Sequence, residues 1–280
     1  MAVRRVWELR DGEWRRGEVA SVLEEPLALH INGQQAAVLM RLPGQEKELA
    51  VGFCLSEGLV RSMNDILMVH HCGQGLPEPG ATAPADEQAF SRNRVELRVR
   101  PEGLSPEARL DVVRLIRAGC GGADVADLAP ALEPVHKDLT VPAATLIELG
   151  KVLRDDQLLH NAVGGVHDAA LFDGEGRLLA LSEDVGRHNA VDKALGHCLL
   201  RGLSVGDHIL LCSGRLSYEM VSKAVRMRIP LLVSISAPTA LALELAERFG
   251  VTLVGYLRGQ RMTVYTHPER VLTAGGAPLS

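Results

Sequence analysis

Aromatic side chains are scarce in this chain: four Phe, three Tyr and two Trp make up 3% of its 280 residues. Hydrophobic residues nevertheless account for 46% of the sequence, so Leu, Val, Ala and Ile must build most of the interior. A chain of this length buries one or two ordinary hydrophobic cores. The composition is therefore that of a globular protein with an aliphatic interior.

Basic residues are fewer than acidic ones, 30 against 35. The formal net charge is −5, and no run of Lys or Arg is longer than two residues. Broad nucleic-acid binding usually needs a basic surface, so the composition argues against it while leaving room for a local anion pocket. The charged N-terminal stretch lacks the apolar segment of a signal peptide, and no apolar run reaches membrane-spanning length. We therefore expect a cytoplasmic protein without membrane or nucleic-acid partners.

The five cysteines are an odd number at irregular spacing, which excludes a disulfide framework. Cys54, Cys198 and Cys212 have apolar neighbours and are predicted to be buried. Cys120 differs because it stands among three glycines in RAGCGGAD, after a predicted helix that contains Arg117. The cation favours the thiolate, whereas the C-terminus of a helix disfavours it. The residues alone leave open whether Cys120 is reactive.

The first half of the chain has an α+β pattern. Asn32-Gly33 predicts a hairpin between two apolar strands, and a helix follows that ends near Gly58. A strand at 94–100 and a helix from Ser105 complete this half. The predicted organisation is an N-terminal extension at 1–20, a smaller α+β domain at 21–118, a flexible cysteine loop and linker at 119–136, and a second domain at 137–280.

The second half alternates short apolar strands with amphipathic helices, beginning with one helix over about 143–160 and a hairpin around Asp173–Gly176. Such alternation predicts an α/β layered domain. Four loops that follow its strands are polar, and three of them pair Gly with Arg. Ligands in open α/β sheets bind at the carboxyl ends of the strands, where free N–H groups and arginines attract phosphate. The candidate contacts in these loops are Arg187, His188, Arg215, Thr239, Arg258 and Arg261.

A zinc deaminase would need H-x-E followed by P-C-x-x-C. The chain has His188-Asn189-Ala190 where the first motif would lie, and the stretch from Ser213 to Ser217 where the second would lie. The zinc ligands and the general-acid Glu are both missing. We therefore predict no metal site.

Two long segments are specific enough to identify a family: EDVGRHNAVDKALG at 183–196 and ISAPTALALELAERFGVTLVGYLRG at 235–259. Together with matching stretches at 24–60 and 213–224, they make the chain resemble the FdhD/NarQ family of formate dehydrogenase accessory sulfurtransferases. The resemblance runs through nearly the whole chain.

The resemblance implies a function. Members of this family accept sulfur from a cysteine desulfurase as a persulfide on a loop cysteine, and Cys120 matches that cysteine. They pass the sulfur to the bis-molybdopterin guanine dinucleotide cofactor, the cargo that formate dehydrogenase then receives. The family places the guanine dinucleotide at the segment matching Tyr256, Leu257, Arg258, Gly259, Gln260 and Arg261, so a guanine nucleotide should serve as a surrogate. It also implies a homodimer and a C-terminal cytidine-deaminase-like three-layer fold without zinc.

One departure from the family pattern concerns the cysteine loop. The family motif is C-G-x-C, but its second cysteine falls here on Ala123. A second thiol would release sulfur by forming a disulfide, and this route is closed within the loop. Two alternatives remain beside the sulfur carrier: a cofactor-binding chaperone that no longer transfers sulfur, and an enzyme that acts on a free nucleotide.

Overall fold

The computed structural model describes residues 1–72, 92–105, 132–136 and 138–279. The strands in these ranges are β1 (Ala2–Arg10), β2 (Glu13–Ser21), β3 (Glu25–Ile31), β4 (Gln34–Arg41), β5 (Ile66–Cys72), β6 (Arg94–Val99), β7 (Val141–Pro142), β8 (His167–Phe172), β9 (Leu178–Asp184), β10 (Ile209–Cys212), β11 (Leu231–Ser234), β12 (Thr252–Arg258), β13 (Arg261–Val264) and β14 (Val271–Leu272). The helices are α1 (Glu46–Ser56), α2 (Ala143–Asp155), α3 (Leu158–Val163), α4 (Arg187–Leu200), α5 (Tyr218–Arg226) and α6 (Ala240–Phe249).

The first two strands form a hairpin that the sequence analysis does not predict. β1 and β2 pair antiparallel as a separate two-stranded sheet around Asp11-Gly12, where both residues have positive φ, as a tight hairpin turn requires. Both tryptophans of the chain, Trp7 and Trp14, lie on one face of this hairpin and are exposed. The Asp11-Gly12 pair was the local signal for a hairpin turn. The charged segments on either side of it do not alternate clearly between apolar and polar residues, so they do not indicate strands.

The N-terminal sheet has the strand order β4-β3-β6-β5 and packs against α1. Asn32 and Gly33 both have positive φ, which confirms the predicted hairpin turn between β3 and β4. Gly58 also has positive φ just beyond α1 and confirms the predicted end of that helix. Leu29, Phe53 and similar aliphatic or aromatic residues fill the space between sheet and helix.

The larger sheet has six strands in the order β13-β12-β11-β10-β8-β9. β10, β11 and β12 are parallel, and β8 is antiparallel to both of its neighbours, so β9 runs in the same direction as β10. One face packs against α2, and the other packs against α4, α5 and α6. This is the layered α/β arrangement that the alternating pattern predicts. No helix in the described ranges is both long and apolar enough to cross a membrane.

The single helix predicted over 143–160 is wrong. The structure has two helices instead, α2 ending at Asp155 and α3 starting at Leu158. Gln157 lies at the break with ψ 80°, and its side chain is buried. Its Nε2 donates a hydrogen bond of 2.8 Å to Oδ2 of Asp168 in β8. This contact with a distant strand interrupts the helix. The spacing of apolar residues along the chain does not reveal such a contact, so it could not predict the break.

Helices α1 and α4 touch through their backbones and join the two halves of the chain. A Cβ atom added at Gly52 would come within 1.8 Å of the Asp192 carbonyl oxygen, and one at Gly196 within 1.9 Å of the Glu48 carbonyl oxygen. Only glycine, which has no Cβ, permits so close an approach. The first half of the chain therefore adds a further layer to the α/β domain.

A buried ion pair fixes the start of α4 relative to the first half. Lys193 Nζ lies 2.7 Å from Asp184 Oδ2 and donates to the Leu42 carbonyl oxygen at 2.8 Å. Asp184 in turn accepts hydrogen bonds from the backbone N–H groups of Leu42 and Gly186. Strand β9, helix α4 and the chain after β4 are thereby held at one point beside the candidate site.

Candidate functional site

The carboxyl ends of four strands meet at one edge of the six-stranded sheet. β9, β10, β11 and β12 point the same way and end at Asp184, Cys212, Ser234 and Arg258. The structure thus confirms that the four polar loops predicted from the sequence share one edge. This edge is the usual position for a ligand in an open α/β sheet.

The loops at this edge hold one another in place. The Ser234 hydroxyl donates to the Gly214 carbonyl oxygen at 2.7 Å. The Leu216 N–H donates to Ala237 at 3.0 Å, and the Thr239 N–H donates back to the Leu216 carbonyl oxygen at 2.9 Å. These hydrogen bonds link neighbouring loops and fix their relative positions at the edge.

Thr239 is the N-cap of α6, as predicted. Its side-chain oxygen accepts a hydrogen bond of 3.3 Å from the Ala242 N–H. The same hydroxyl keeps its own hydrogen for a ligand. Arg215, in the preceding loop, is exposed.

Arg187 is the first residue of α4, and its side chain lies against the loop that follows β10. A Cβ at Gly214 would lie 2.8 Å from Cβ and 3.0 Å from Cδ of Arg187, so the glycine makes room for the arginine side chain. Arg187 Nε is buried and has no hydrogen-bond partner within the described part of the chain. A ligand with acceptor atoms at this edge would satisfy that donor.

His188 faces a carboxylate. Its Nε2 lies 3.7 Å from Glu219 Oε2, and the Ser217 hydroxyl donates to the same carboxylate at 2.7 Å. These neighbours, His188 first, lower the pKa of Glu219 to about 2, so this residue stays ionised at physiological pH. It places a negative charge beside His188 at this edge.

The predicted segment 256–261 has an unusual backbone. Tyr256 has φ 53° although it lies within a strand, and the pairing of β12 with β13 is irregular between Gly255 and Arg258. Positive φ in a bulky residue is strained, and such strain clusters at functional sites. Leu257 differs from the other members because its side chain is buried in the core, which leaves its backbone for a ligand. Arg258, Gly259, Gln260 and Arg261 are all exposed.

Replacing Tyr256 by glycine should weaken ligand binding without lowering the stability of the protein. In Tyr256→Gly we expect an unchanged or higher melting temperature, because relief of about 1–3 kcal/mol of backbone strain offsets the lost contacts and the added chain entropy. Binding of GDP, measured by calorimetry, should weaken in the same variant. Tyr256→Phe keeps both ring and backbone and should match the wild type in both assays. A melting temperature that falls clearly in Tyr256→Gly alone would contradict a strained backbone here.

Uncompensated positive charge collects at this edge. Four arginines lie at or beside the strand ends without an ion pair among residues 1–72, 92–105, 132–136 and 138–279: Arg187, Arg215, Arg258 and Arg261. Arg258 is held by a hydrogen bond of 2.8 Å from its Nε to the Ile235 carbonyl oxygen, which leaves its terminal nitrogens available. Guanidinium groups bind phosphate oxygens in pairs, so the edge suits a ligand with several phosphate groups.

The sequence analysis did not include His167 and Asp168 among the site residues. The structure places both beside these loops. His167 Nδ1 lies 3.3 Å from the Ser213 hydroxyl oxygen, which accepts a hydrogen bond of 2.9 Å from the Asp168 N–H. Burial and the nearby cations, Arg187 first among them, lower the pKa of His167. His167 is therefore neutral at physiological pH. Its position at the start of a strand, beside two glycines, was the only available signal.

Asp168 is the buried acid of this group. It lies opposite Glu183 across the β8–β9 pair. Burial, reinforced by the charge of Glu183, raises the pKa of Asp168 to about 6. Stability contributed by this group falls as pH rises from about 4 towards 6, because the folded state holds its proton more tightly than the unfolded chain.

The predicted buried cysteines are confirmed. Cys54, Cys198 and Cys212 are fully buried, and burial raises the thiol pKa of Cys198 to about 11 and of Cys212 to about 12. None of the three is a reactive thiol. Cys120 and Arg117 lie outside the described residues. No group of three or more metal-ligating side chains occurs in the described ranges.

Comparison with known proteins identifies the family. The FdhD/NarQ family profile matches residues 22–272. The chain belongs to the FdhD/NarQ family. It is 39% identical over 255 residues to the sulfur carrier protein FdhD of Mycobacterium tuberculosis, covering 89% of this chain and 90% of that protein. It is 35% identical over 268 residues to the sulfur carrier protein FdhD of Saccharolobus solfataricus, covering 94% and 95%.

A crystal structure shares the fold. A protein from Desulfotalea psychrophila, described as a formate dehydrogenase accessory protein, superposes with a TM-score of 0.75 at 27% identity. The match covers 97% of this chain and 99% of that one. The family resemblance and the mixed α/β fold predicted from the sequence are both confirmed. The matched range of the family begins at Val22, just after the N-terminal hairpin.

Proposed function

We propose that this protein is a sulfur carrier for formate dehydrogenase maturation. It accepts sulfur from a cysteine desulfurase on Cys120 and transfers it to the bis-molybdopterin guanine dinucleotide cofactor, its cargo. The names of its relatives support the carrier role, and the family neighbour supports the link to formate dehydrogenase. The observation that carries the proposal is the edge with four arginines that form no ion pair within the described part of the chain, in a member of this family.

The chemistry needs a single thiolate. The Cys120 thiolate attacks the terminal sulfur of the desulfurase persulfide, the sulfur–sulfur bond of that persulfide breaks, and the desulfurase cysteine leaves as a thiolate. In the second step the acceptor supplies the electron pair for its new bond to the terminal sulfur, and Cys120 leaves as a thiolate. No loop disulfide forms, because Ala123 stands where a second thiol would be.

The cargo is held by its phosphates. Arg187, Arg215, Arg258 and Arg261 provide forked cations, with Thr239, His188 and the backbone of 256–261 as further contacts. Glu219 repels misplaced phosphate and restricts where anions lie. The proposal includes a cytoplasmic homodimer and a deaminase-like arrangement of the C-terminal layers.

The carrier role is tested by replacing the thiol. A host strain that lacks its own carrier is supplied with wild type, Cys120→Ala or Cys72→Ala, and formate dehydrogenase activity is measured in extracts. We expect Cys120→Ala to lose essentially all activity and Cys72→Ala to retain it. Full activity with Cys120→Ala would instead establish a cofactor-binding chaperone.

A further inference from the structure

The N-terminal hairpin of β1 and β2 presents an apolar face to solvent. Opposite residues of an antiparallel pair share a face, and the register places Trp7 opposite Arg16 and Leu9 opposite Trp14. Val3 lies on the same face, because side chains two and four residues apart along a strand point the same way. The four apolar residues of this surface, here called the tryptophan face, are 57% to 65% exposed. Exposed apolar residues that lie together indicate an interaction surface.

The hairpin receives little support from the rest of the chain. No residue from Met1 to Ser21 is buried, and within the described ranges β1 and β2 pair with no other strand. An isolated two-stranded hairpin is marginally stable at best in water. A partner that covers the tryptophan face would therefore also stabilise the hairpin.

The base of the hairpin lies beside the edge that carries the four arginines, here called the arginine edge. Val22 follows β2, and its Cγ2 would lie 3.7 Å from a Cβ atom at Gly165, two residues before β8. Because β8 is antiparallel to β10, it begins at the edge where β10 ends. A second link runs through β3, which starts opposite Arg41. The next residue, Leu42, donates to Asp184 at the end of β9.

The tryptophans are within reach of this edge. Arg16, opposite Trp7, is five residues before Ser21, and Trp14 is seven residues before it. At about 3.4 Å per residue, the two indoles lie roughly 17 to 24 Å along the hairpin from its base. One folded domain spans that distance, so a protein bound to the tryptophan face also lies next to the proposed cargo.

Two other occupants fit this face less well. Nine-residue strands about 5 Å apart give a face of roughly 30 by 10 Å, or about 300 Å². A stable dimer buries about 800 Å² on each partner, so this face alone does not hold a second copy. Anionic lipid attracts clusters of basic residues. Three of the five hairpin arginines, however, are paired with its own glutamates: Arg5 with Glu18, Arg10 with Glu8 and Arg15 with Glu13.

Arg16 and the space beside it indicate the chemistry of the partner. The guanidinium carbon of Arg16 lies 4.8 Å from the centroid of the Trp7 ring. A depression of about 470 Å³ opens there, lined by Arg5, Val6, Trp7, Arg16, Gly17 and Glu18. Trp and Arg are enriched at the centres of protein interfaces, where an anchor side chain of the partner fills a pocket. The face therefore suits a transient protein partner with an apolar anchor and a carboxylate that pairs with Arg16.

We propose that the tryptophan face docks the enzyme that receives the cargo, the cofactor-free catalytic subunit of formate dehydrogenase. The inference rests on the proposed function and adds to it the surface on which the acceptor binds. Docking here holds the acceptor beside the arginine edge, so the cofactor passes between the two proteins without release into solution. The hairpin precedes the range 22–272 that the family profile matches, so that match does not account for it.

The affinity for the cofactor-free catalytic subunit, measured by biolayer interferometry, tests the inference. We expect Trp7→Ser combined with Trp14→Ser to weaken binding about tenfold or more. Leu67→Ser is the matched control, because Leu67 is 60% exposed in β5, and it should bind like the wild type. Arg16→Glu keeps both tryptophans, so it stays informative where the double variant unfolds the hairpin, and it should weaken binding as well. Arg4→Glu, on the opposite face, should not.

Hydroxyl-radical footprinting by mass spectrometry locates the contact. Trp7 and Trp14 are the only tryptophans of the chain, and both are exposed. Adding the catalytic subunit should protect both from oxidation, whereas Met68, 45% exposed in β5, should stay reactive. Tryptophans that stay reactive in the complex, or a double variant that binds like the wild type, would overturn the inference.

Sulfur loading distinguishes this inference from the proposed function. The double tryptophan variant should still take up one sulfur on Cys120 from the desulfurase, because the hairpin has no part in that step. A wild type that loads sulfur but does not bind the subunit would overturn the inference alone. A wild type that does neither would overturn both.

The same double variant identifies a wrong occupant. Normal binding of the subunit, together with a molar mass that falls from dimer to monomer in light scattering, would assign the face to a second copy. Normal binding of the subunit, together with lost binding to phosphatidylglycerol vesicles, would assign it to a membrane surface. Either result would overturn the inference.

Discussion

Gly196→Ala will destabilise the protein strongly. The added methyl group would overlap the Glu48 carbonyl oxygen, which is backbone and cannot swing aside as a side chain would. Helices α1 and α4 must separate, which costs about 3 kcal/mol or more in the free energy of unfolding. In an ordinary helix interior, replacing Gly by Ala would instead increase the free energy of unfolding by about 0.5–1 kcal/mol. Urea unfolding followed by circular dichroism measures the difference.

Matched glycine variants make this result specific. Gly52→Ala presses the same helix pair apart and should cost a similar amount. The double variant should cost less than the sum, since one separation accommodates both methyl groups. Gly275→Ala, where the nearest atom would be 3.9 Å away, should leave stability nearly unchanged. Gly196→Ala with wild-type stability would show that the two helices do not touch.

Lys223 supports the same junction through charge. Its ammonium group lies 2.9 Å from Asp192 Oδ2 in α4, and its Nζ donates to the Ser56 hydroxyl at 2.8 Å. Glu57 supplies a second carboxylate at 2.6 Å. Burial alone would lower the pKa of Lys223, but Asp192 and Glu57 raise it, so the lysine is charged. One buried cation therefore joins the end of α1 to α4 and α5.

Replacing this lysine leaves buried carboxylates without a partner. Lys223→Met should cost about 3–5 kcal/mol in the free energy of unfolding at neutral pH. Burial raises the pKa of Asp192, and the charge of Lys223 opposes this rise in the wild type. Without Lys223 the pKa rises further, so the folded variant holds more strongly a proton that the unfolded chain releases above about pH 4. In the wild type Lys223 overcomes burial and lowers the pKa of Glu57, which adds stability above the unfolded pKa of that group. Both effects increase the difference in the free energy of unfolding between variant and wild type as pH rises from about 4 to 7.

A double variant checks that account. Lys223→Met combined with Asp192→Asn removes the unpaired buried charge and should recover part of the loss, with a weaker pH dependence. Urea unfolding at pH 4.5 and 7.5 gives the comparison. A loss that is the same at both pH values, with no recovery in the double variant, would assign Lys223 a packing role instead.

The junction also bears on the site. Helix α4 touches α1 at Gly196 and begins at Arg187, so a shift between the helices moves the first arginine of the edge. We therefore expect variants of the junction to lose GDP affinity before they unfold completely.

Local signals in the sequence predicted much of this fold. Asn32-Gly33 and Gly58 each require positive φ, and the cap at Thr239 depends only on its neighbours along the chain. The shared edge of the four loops follows from strand direction, which alternation of strands and helices determines. Such features are encoded within a few residues, so they can be read without the structure.

Features that depend on distant partners were missed. Gln157 breaks a predicted helix because Asp168 lies beside it in the fold. Gly52 and Gly196 read as ordinary helical glycines until α1 and α4 are seen to cross there. His167 was not among the predicted site residues, because nothing in the sequence brings it to Ser213. These pairs are 11 to 144 residues apart, beyond the reach of any local pattern.

The central claim is that Cys120 alone carries sulfur, and peptide mapping by mass spectrometry tests it most directly. The protein is incubated with a cysteine desulfurase and cysteine without reductant, then digested and compared with Cys120→Ala. We predict one added sulfur on the Cys120 peptide of the wild type and none on the variant. No added sulfur on any peptide, or sulfur on Cys72 instead, would contradict the account.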